Sequence, residues 1–433
     1  MKDALFRILV TLTLLSLVSC TIQVAVPGSV KIAQSQKERL IAPKVEAGEL
    51  AELVSGNNAF ALDLYQALRE KEGNLFYSPF SISLALAMTY AGARGETERQ
   101  MADTLHFTLP QNRLHPAFNA LELELTQRGK ATGEQAEKSE EGFQLHIANA
   151  IWGQEGYKFL PEFLDTLAEN YGAGIRLLDF QKAPEKSRQV INDWVSKQTE
   201  GKIKDLIPKG LINELTRLVL TNAIYFNARW LHPFDKRQTR DGTFHLLDGS
   251  EVTVPMMRQT ELLRYAEGDG YQAVELPYRM PGFSMLILLP EANRFEEFEA
   301  SLNGELINAI VKSLDSKNVA LTMPKFKFES SFLLAKTLAQ MGMPDAFLLE
   351  RADFSGMDGT RNLFIREVTH KAFVSVDEEG TEAAAATAVI VALKAVISPP
   401  IKVIVDHPFI FLIRDNETGT ILFMGRVMNP SLK

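Results

Sequence analysis

The stretch EEGTEAAAATAVIVALKAVISPP, residues 378–400, decides how the rest of the chain is read. It starts as an acidic turn, becomes a run of alanines, turns apolar, offers one basic residue, Lys394, and stops at two prolines. The segments on both sides read as strong strands. Written as a strand, residues 381–394 place Thr381, Ala383, Ala385, Thr387, Val389 and Val391 on one face, because side chains alternate. None of these is charged, and the first four are small. Glu382, Ala384, Ala386, Ala388, Ile390 and Ala392 share the other face. Such a strand can slide into the middle of an existing sheet without side chains too bulky to pass. Alanine has weak strand propensity, so the segment need not be a strand beforehand. Glu378, Glu379 and Gly380 supply a permissive pivot. An exposed alanine-rich helix is the competing reading, and propensity alone favours it. Against it stand three consecutive β-branched residues, Val389, Ile390 and Val391, and no amphipathic stripe.

The chain around this stretch has 433 residues, 46% of them hydrophobic, enough for one large core or two ordinary ones. The formal net charge of −8 argues against a nucleic-acid binder, which normally carries a basic patch or a positive balance. A single cysteine, Cys20, rules out an internal disulfide. Lys2 and Arg7 precede an apolar run over residues 8–17 that is too short to span a bilayer. The run ends in LVSC, residues 17–20, which is similar to a bacterial lipobox whose cleavage leaves Cys20 as a lipidated N-terminus. A plain secretory signal cleaved nearby is the alternative. Either way the mature protein is expected outside the cytoplasm, secreted or lipid-anchored to the bacterial envelope. Residues 1–19 thus read as a signal peptide, 20–54 as a flexible tether and 55–433 as one domain.

Helical spacing begins with Phe60, Leu64 and Leu68. Ser78 and Pro79 open a second helix whose apolar residues nearly encircle it, so it is expected to be buried. Thr97 and Gln100 read as a capping box for a third helix. Strands are expected over 145–152, 217–226, 272–276, 283–289 and 320–328, and a helix over 332–341. Two apolar runs, 408–413 and 420–427, flank a hairpin turn at 415–419. Residues 130–142 form an exposed charged insertion. The class is α+β, with helices early and strands dominating late.

Catalytic motifs are missing. No two of the seven histidines lie within four residues, and there is no nucleophile elbow, phosphate loop or paired-cysteine motif. Asp406 and His407 invite a triad, but His407 precedes a strand that reads as buried. No enzyme, metal or cofactor is expected.

Five blocks in order carry a family resemblance: NLFYSPFSISLALAMTYAGARGETERQM at 74–101, TNAIYFNARWLHPFD at 221–235, LTMPKFKFESSFLLAKTLAQMGMPDAF at 321–347, VTHKAFVSVDEEGTEAAAATA at 368–388, and DHPFIFLIRDNETGTILFMGRVMNP at 406–430. Together they resemble the serpins over nearly all of residues 55–433. The resemblance implies three β-sheets, eight or nine helices and an exposed reactive loop on a metastable fold. It further implies that a target serine protease cuts the loop, is held as a covalent acyl-enzyme, and is distorted as the loop inserts into the central sheet. Glu379, Gly380, Thr381, Glu382, Ala383, Ala384, Ala385 and Ala386 match the family's hinge. Ser78, Ser81, Asn222 and His370 match its polar cluster beneath the opening strands, and Trp230 its tryptophan near the insertion point.

Family spacing from Gly380 puts the scissile bond at Lys394–Ala395, which suits a trypsin-like pocket that wants a cation. The distal arm, counted back from Pro408, is a few residues longer than in many members. That keeps Val396 and Ile397 in play for an elastase-like or subtilisin-like target, and Leu393 for a chymotrypsin-like one. Papain-like targets, a non-inhibitory binding module and a lipoprotein with a merely cleavable loop are the further readings. Threonine and alanine at 381, 383 and 385 favour inhibition over the non-inhibitory module. The expected partners are a covalently held protease and, through Cys20, a membrane; the molecule is expected to be a monomer.

Overall fold

The computed structural model of the chain describes residues 30–128, 143–381 and 399–432. In chain order its elements are β1 (Lys31–Ala33), α1 (Glu49–Leu68), β2 (Leu75–Tyr77), α2 (Pro79–Tyr90), α3 (Gly95–Leu105), α4 (Gln111–Arg128), β3 (Phe143–Gln154), α5 (Pro161–Tyr171), β4 (Ile175–Leu178), α6 (Pro184–Gln198), β5 (Leu218–Arg229) and β6 (Arg240–His245). They continue with β7 (Glu251–Gly268), β8 (Tyr271–Pro277), β9 (Phe283–Pro290), α7 (Phe295–Ser301), α8 (Gly304–Ser313), β10 (Asp315–Pro324), β11 (Phe326–Leu333), α9 (Ala335–Met341), α10 (Ser355–Asp358), β12 (Ile365–Val376), β13 (Gly380–Thr381), β14 (Ile401–Ile404), β15 (Phe409–Asp415) and β16 (Ile421–Val427). The class is α+β, as expected.

One sheet has seven strands in the order β1-β4-β3-β5-β13-β12-β11; the other has nine, along β14-β10-β7-β8-β9-β15-β16-β2 with β6 beside β7. The three sheets implied by the resemblance read as two ladders because the 18-residue β7 serves two of them. It pairs with β6 and β10 along most of its length and with β8 at its end.

The twelve residues of α2 are all buried, which follows from an apolar surface on every side. Ser78 caps this helix, its Oγ accepting from Ser81 N at 3.2 Å, with Pro79 in the first turn. The helix runs beneath β3 and β5 and positions two of the site's serines. The expected capping box at Thr97 is corrected. α3 begins at Gly95, and the Thr97 hydroxyl accepts from Asp353 N at 2.9 Å while Gln100 accepts from Asp345 N at 3.0 Å. Tertiary donors take the groups a cap would use. The helix expected over 332–341 starts only at Ala335, because Phe332 and Leu333 finish β11.

Residues 30–48 do not hang free of the domain, as a flexible tether would. β1 pairs antiparallel with β4, and the chain then crosses α5 and α4 before α1 begins. Cys20 and the insertion at 130–142 lie outside the described residues.

Candidate functional site: an opening between two central strands

β5 and β12 lie at the middle of the seven-stranded sheet and pair in parallel, from Leu218 beside Ile365 to Tyr225 beside Phe373. Past Tyr225 they part, and β13 fills the gap. Gly380 and Thr381 pair antiparallel with Arg229 and Ala228 of β5, and Thr381 with Val376 of β12. Gly380 and Thr381 of the hinge therefore already sit as a strand between the two. Only glycine fits at 380: a Cβ there would lie 2.1 Å from the Ala228 carbonyl oxygen. Thr381 is fully buried, its Oγ1 2.8 Å from the Tyr278 hydroxyl.

The turn before the hinge is held from three sides. Trp230 donates through Nε1 to Asp377 O at 3.0 Å and through its backbone to Glu379 O at 2.9 Å. Its ring stacks on Tyr278 with centroids 4.7 Å apart. The buried Glu378 carboxylate accepts from Lys325 Nζ at 2.6 Å and from Thr239 at 2.8 Å. Burial by itself pushes this carboxyl up; the Lys325 and Thr239 hydrogen bonds outweigh it and hold it below the usual range. Glu379 pairs with Lys236 at 2.9 Å.

The lower, closed part of the opening is locked by polar groups. His370 on β12 faces Asn222 on β5. The Ser78 backbone N–H donates to His370 Nε2 at 3.2 Å, so Nδ1 carries the proton and donates to Asn222 Oδ1. Asn222 Nδ2 donates to Ser81 Oγ at 2.7 Å and to Asn149 Oδ1 at 2.6 Å, and Ser81 Oγ donates to Asn149 Oδ1 at 3.1 Å. Ser78 Oγ donates to Leu422 O at 2.7 Å. Every member is paired, which makes the lock strong and unique. Burial pushes the His370 imidazole down to about 3, against the Asn222 bond that raises it.

The structure thus brings Ser78, Ser81, Asn222 and His370 into one network, and places Trp230 apart from it, beside the hinge. Asn149, Lys325, Thr239 and Tyr278 are missed by sequence reasoning. Asn149 has a visible signal, a polar residue in an apolar strand; the others are joined only by the fold. Glu382, Ala383, Ala384, Ala385, Ala386, Lys394 and Ala395 lie outside the described residues. Beyond them, β14 joins the other sheet beside β10. Asp406 and His407 form no triad: His407 bonds Asp406 at 2.8 Å and Pro290 O at 2.7 Å, which uses both ring nitrogens.

The two middle strands of the central sheet are thus latched together at one end, and the neighbouring loop has already started between them at the other. Comparison with known proteins supplies the family. The serpin (serine protease inhibitor) family matches residues 55–430. A serpin-like protein of Thermococcus kodakarensis is 44% identical over 390 residues, 89% of this chain and 88% of its own. Human leukocyte elastase inhibitor is 41% identical over 392 residues, 88% of this chain and 100% of that one. The native crystal structure of tengpin, a thermophilic serpin, matches with a TM-score of 0.80 at 30% identity, covering 92% of this chain and 100% of that one. This chain belongs to the serpin family, whose description is serine protease inhibitor.

Proposed function

We propose that this serpin is a suicide substrate that traps a serine protease by inserting residues 381–394 between β5 and β12. The observation that carries the reading is the seat of Gly380 and Thr381 between those strands. Parallel pairs are slightly less stable than antiparallel ones. A strand continuing β13 runs antiparallel to both neighbours, so insertion replaces one parallel ladder by two antiparallel ones. Each hydrogen bond gained is worth roughly 1 kcal/mol net, so a ladder of about a dozen supplies on the order of 10 kcal/mol. Six residues beyond Thr381 the same register brings Thr387 level with both Asn222 and His370. Its hydroxyl replaces the bond those two lose.

The register reaches the ends of β5 and β12 near residues 391–392, which favours a cut just beyond, at Lys394–Ala395. The protease serine attacks the Lys394 carbonyl carbon; the bond to Ala395 N breaks, the amine leaves protonated, and Lys394 stays esterified to the enzyme. Insertion then carries that ester about 40 Å, at about 3.3 Å per residue. The Lys394 cation suits a trypsin-like pocket. A second reading, an elastase-like target cut near Val396 or Ile397, is favoured by the likeness to leukocyte elastase inhibitor.

Incubation with a protease panel tests both readings: a denaturant-stable complex on a gel, with the mass of the released C-terminal peptide locating the bond. Clean cleavage of the loop with no complex removes the inhibitory reading. The same proposal places the protein outside the cytoplasm, tied to a bacterial membrane through lipid on Cys20. Cys20→Ser is expected to release it from membranes or leave an uncleaved precursor. A soluble wild type whose N-terminus is another residue refutes the anchor.

A further inference from the structure

The two edges of the seven-stranded sheet are finished differently. β11 closes one edge with exposed and buried residues in alternation, and Lys327 and Glu329 are among the exposed ones. Charges of that kind discourage a second chain from pairing there. β4 closes the other side with IRLL, which has no such protection. Its one charge, Arg176, lies over the Trp194 and Trp152 rings, 4.6 and 5.7 Å from their centroids. Bare, β4 would be a short, mostly apolar edge with its outer backbone groups unpaired.

That edge is covered by residues 30–40. Lys31, Ile32 and Ala33 pair with Leu177, Arg176 and Ile175. The strap passes so close to Gly174 that a Cβ there would lie 2.7 Å from the Ala33 carbonyl oxygen. Its onward path is fastened at four more points. Ser35 donates to Asp165 at 2.5 Å, and Lys37 lies 3.0 Å from both Asp165 and Glu169. Arg39 donates to Asn119 Oδ1 and to Glu122, each at 2.8 Å. The fully buried Asn119 donates back to the Leu40 carbonyl at 2.7 Å. A buried amide spent on the strap's backbone, and a glycine that gives it clearance, mark a dedicated seat.

We infer that residues 30–40 are an edge guard: an intramolecular strand that occupies the place a second copy of this chain would take on β4. Without it, the β4 edges of two molecules are free to pair antiparallel about a twofold axis, a self-complementary arrangement. The guard has to be part of the same chain because a covalently attached strand competes at a high effective concentration.

Two variants test this in parallel: a chain that starts at residue 44, and a longer one that starts at residue 21 and carries Gly174→Val. The second keeps the strap but denies it clearance, so it decides the matter if the short chain fails to fold. Folding is checked by circular dichroism and association by sedimentation equilibrium. The unaltered chain from residue 21 is expected to stay monomeric. Both variants are expected to show a doubled mass that rises with concentration, and a synthetic peptide of residues 29–42 is expected to return the short chain to monomer. Variants that stay monomeric over the same concentration range overturn the inference. So does a monomeric variant that merely loses inhibitory activity on standing, because the strap would then brace the sheet's interior and not guard its edge.

Discussion

Thr381→Arg tests the insertion mechanism at its first step. Thr381 is wholly buried between β5 and β12, and its hydroxyl bonds Tyr278 beneath the stacked Trp230 ring. Arginine cannot keep that bond, worth about 1 kcal/mol, and would bury a cation with no anion beside it at a cost of several kcal/mol. In the native state the cost is escaped, because the two-residue strand lifts out and loses little. During insertion it is not, because residue 381 leads the strand and must be sheathed before later residues contribute. A barrier raised by about 3 kcal/mol slows insertion by roughly a hundredfold. The acyl-enzyme then hydrolyses before the protease is distorted. The expected result is cleavage at the same bond, release of active protease and a stoichiometry of inhibition that rises steeply. Cleaved wild type is expected to gain a large increase in Tm from the added strand, and cleaved variant a smaller one. Covalent complexes formed by the variant with wild-type stoichiometry would refute the reasoning.

Three further outcomes are expected. The stability owed to neutral His370 is fully present above its ordinary pKa of 6.5 and is lost as pH falls toward about 3. That loss amounts to roughly 5 kcal/mol by linkage. Buried His115 is also pushed down to about 3, so unfolding midpoints of wild type and His370→Gln are compared across that window, and the variant's curve is expected to be flatter. Glu378→Lys sets two cations against each other at the hinge turn; with Lys325 35% exposed, a loss of about 2 kcal/mol in urea unfolding is expected, restored in part by adding Lys325→Glu. Lys394→Ala is expected to slow association with trypsin by at least about tenfold while leaving the Tm gain on cleavage unchanged, since the residue lies at the far end of the inserted strand; unaltered trypsin inhibition would move the bond toward 396–397.

How much of this was legible in sequence depends on whether the physics is local. The buried helix after Ser78 and Pro79 could be read from its cap, its proline and its all-round apolar surface, because a helix end is a local event. The α+β class followed from periods of apolar residues. The run of small side chains after Gly380 is visible in the sequence as a segment able to slide into a sheet. Even the Asn222 and His370 pair was reached only through resemblance, since a buried asparagine and a buried histidine far apart in the chain carry no sign of each other. The parallel ladder between β5 and β12, which the proposed insertion would replace, exists only once residues 218–225 and 365–373 are side by side. The same holds for the salt bridge that sets Lys325 on Glu378. The capping box at Thr97 failed because partners from Asp345 and Asp353 outbid a local cap. Residues 30–48 misled most: without a helical or strand period of their own they read as a tether, yet they are ordered by β4, α5 and α4. Sequence determines which segments prefer to be helix, strand or pivot, because those preferences are set by neighbours in the chain. Which polar groups lock the sheet, and which segment guards its edge, is decided by tertiary structure, because the hydrogen-bond partners come from residues that only the fold brings together.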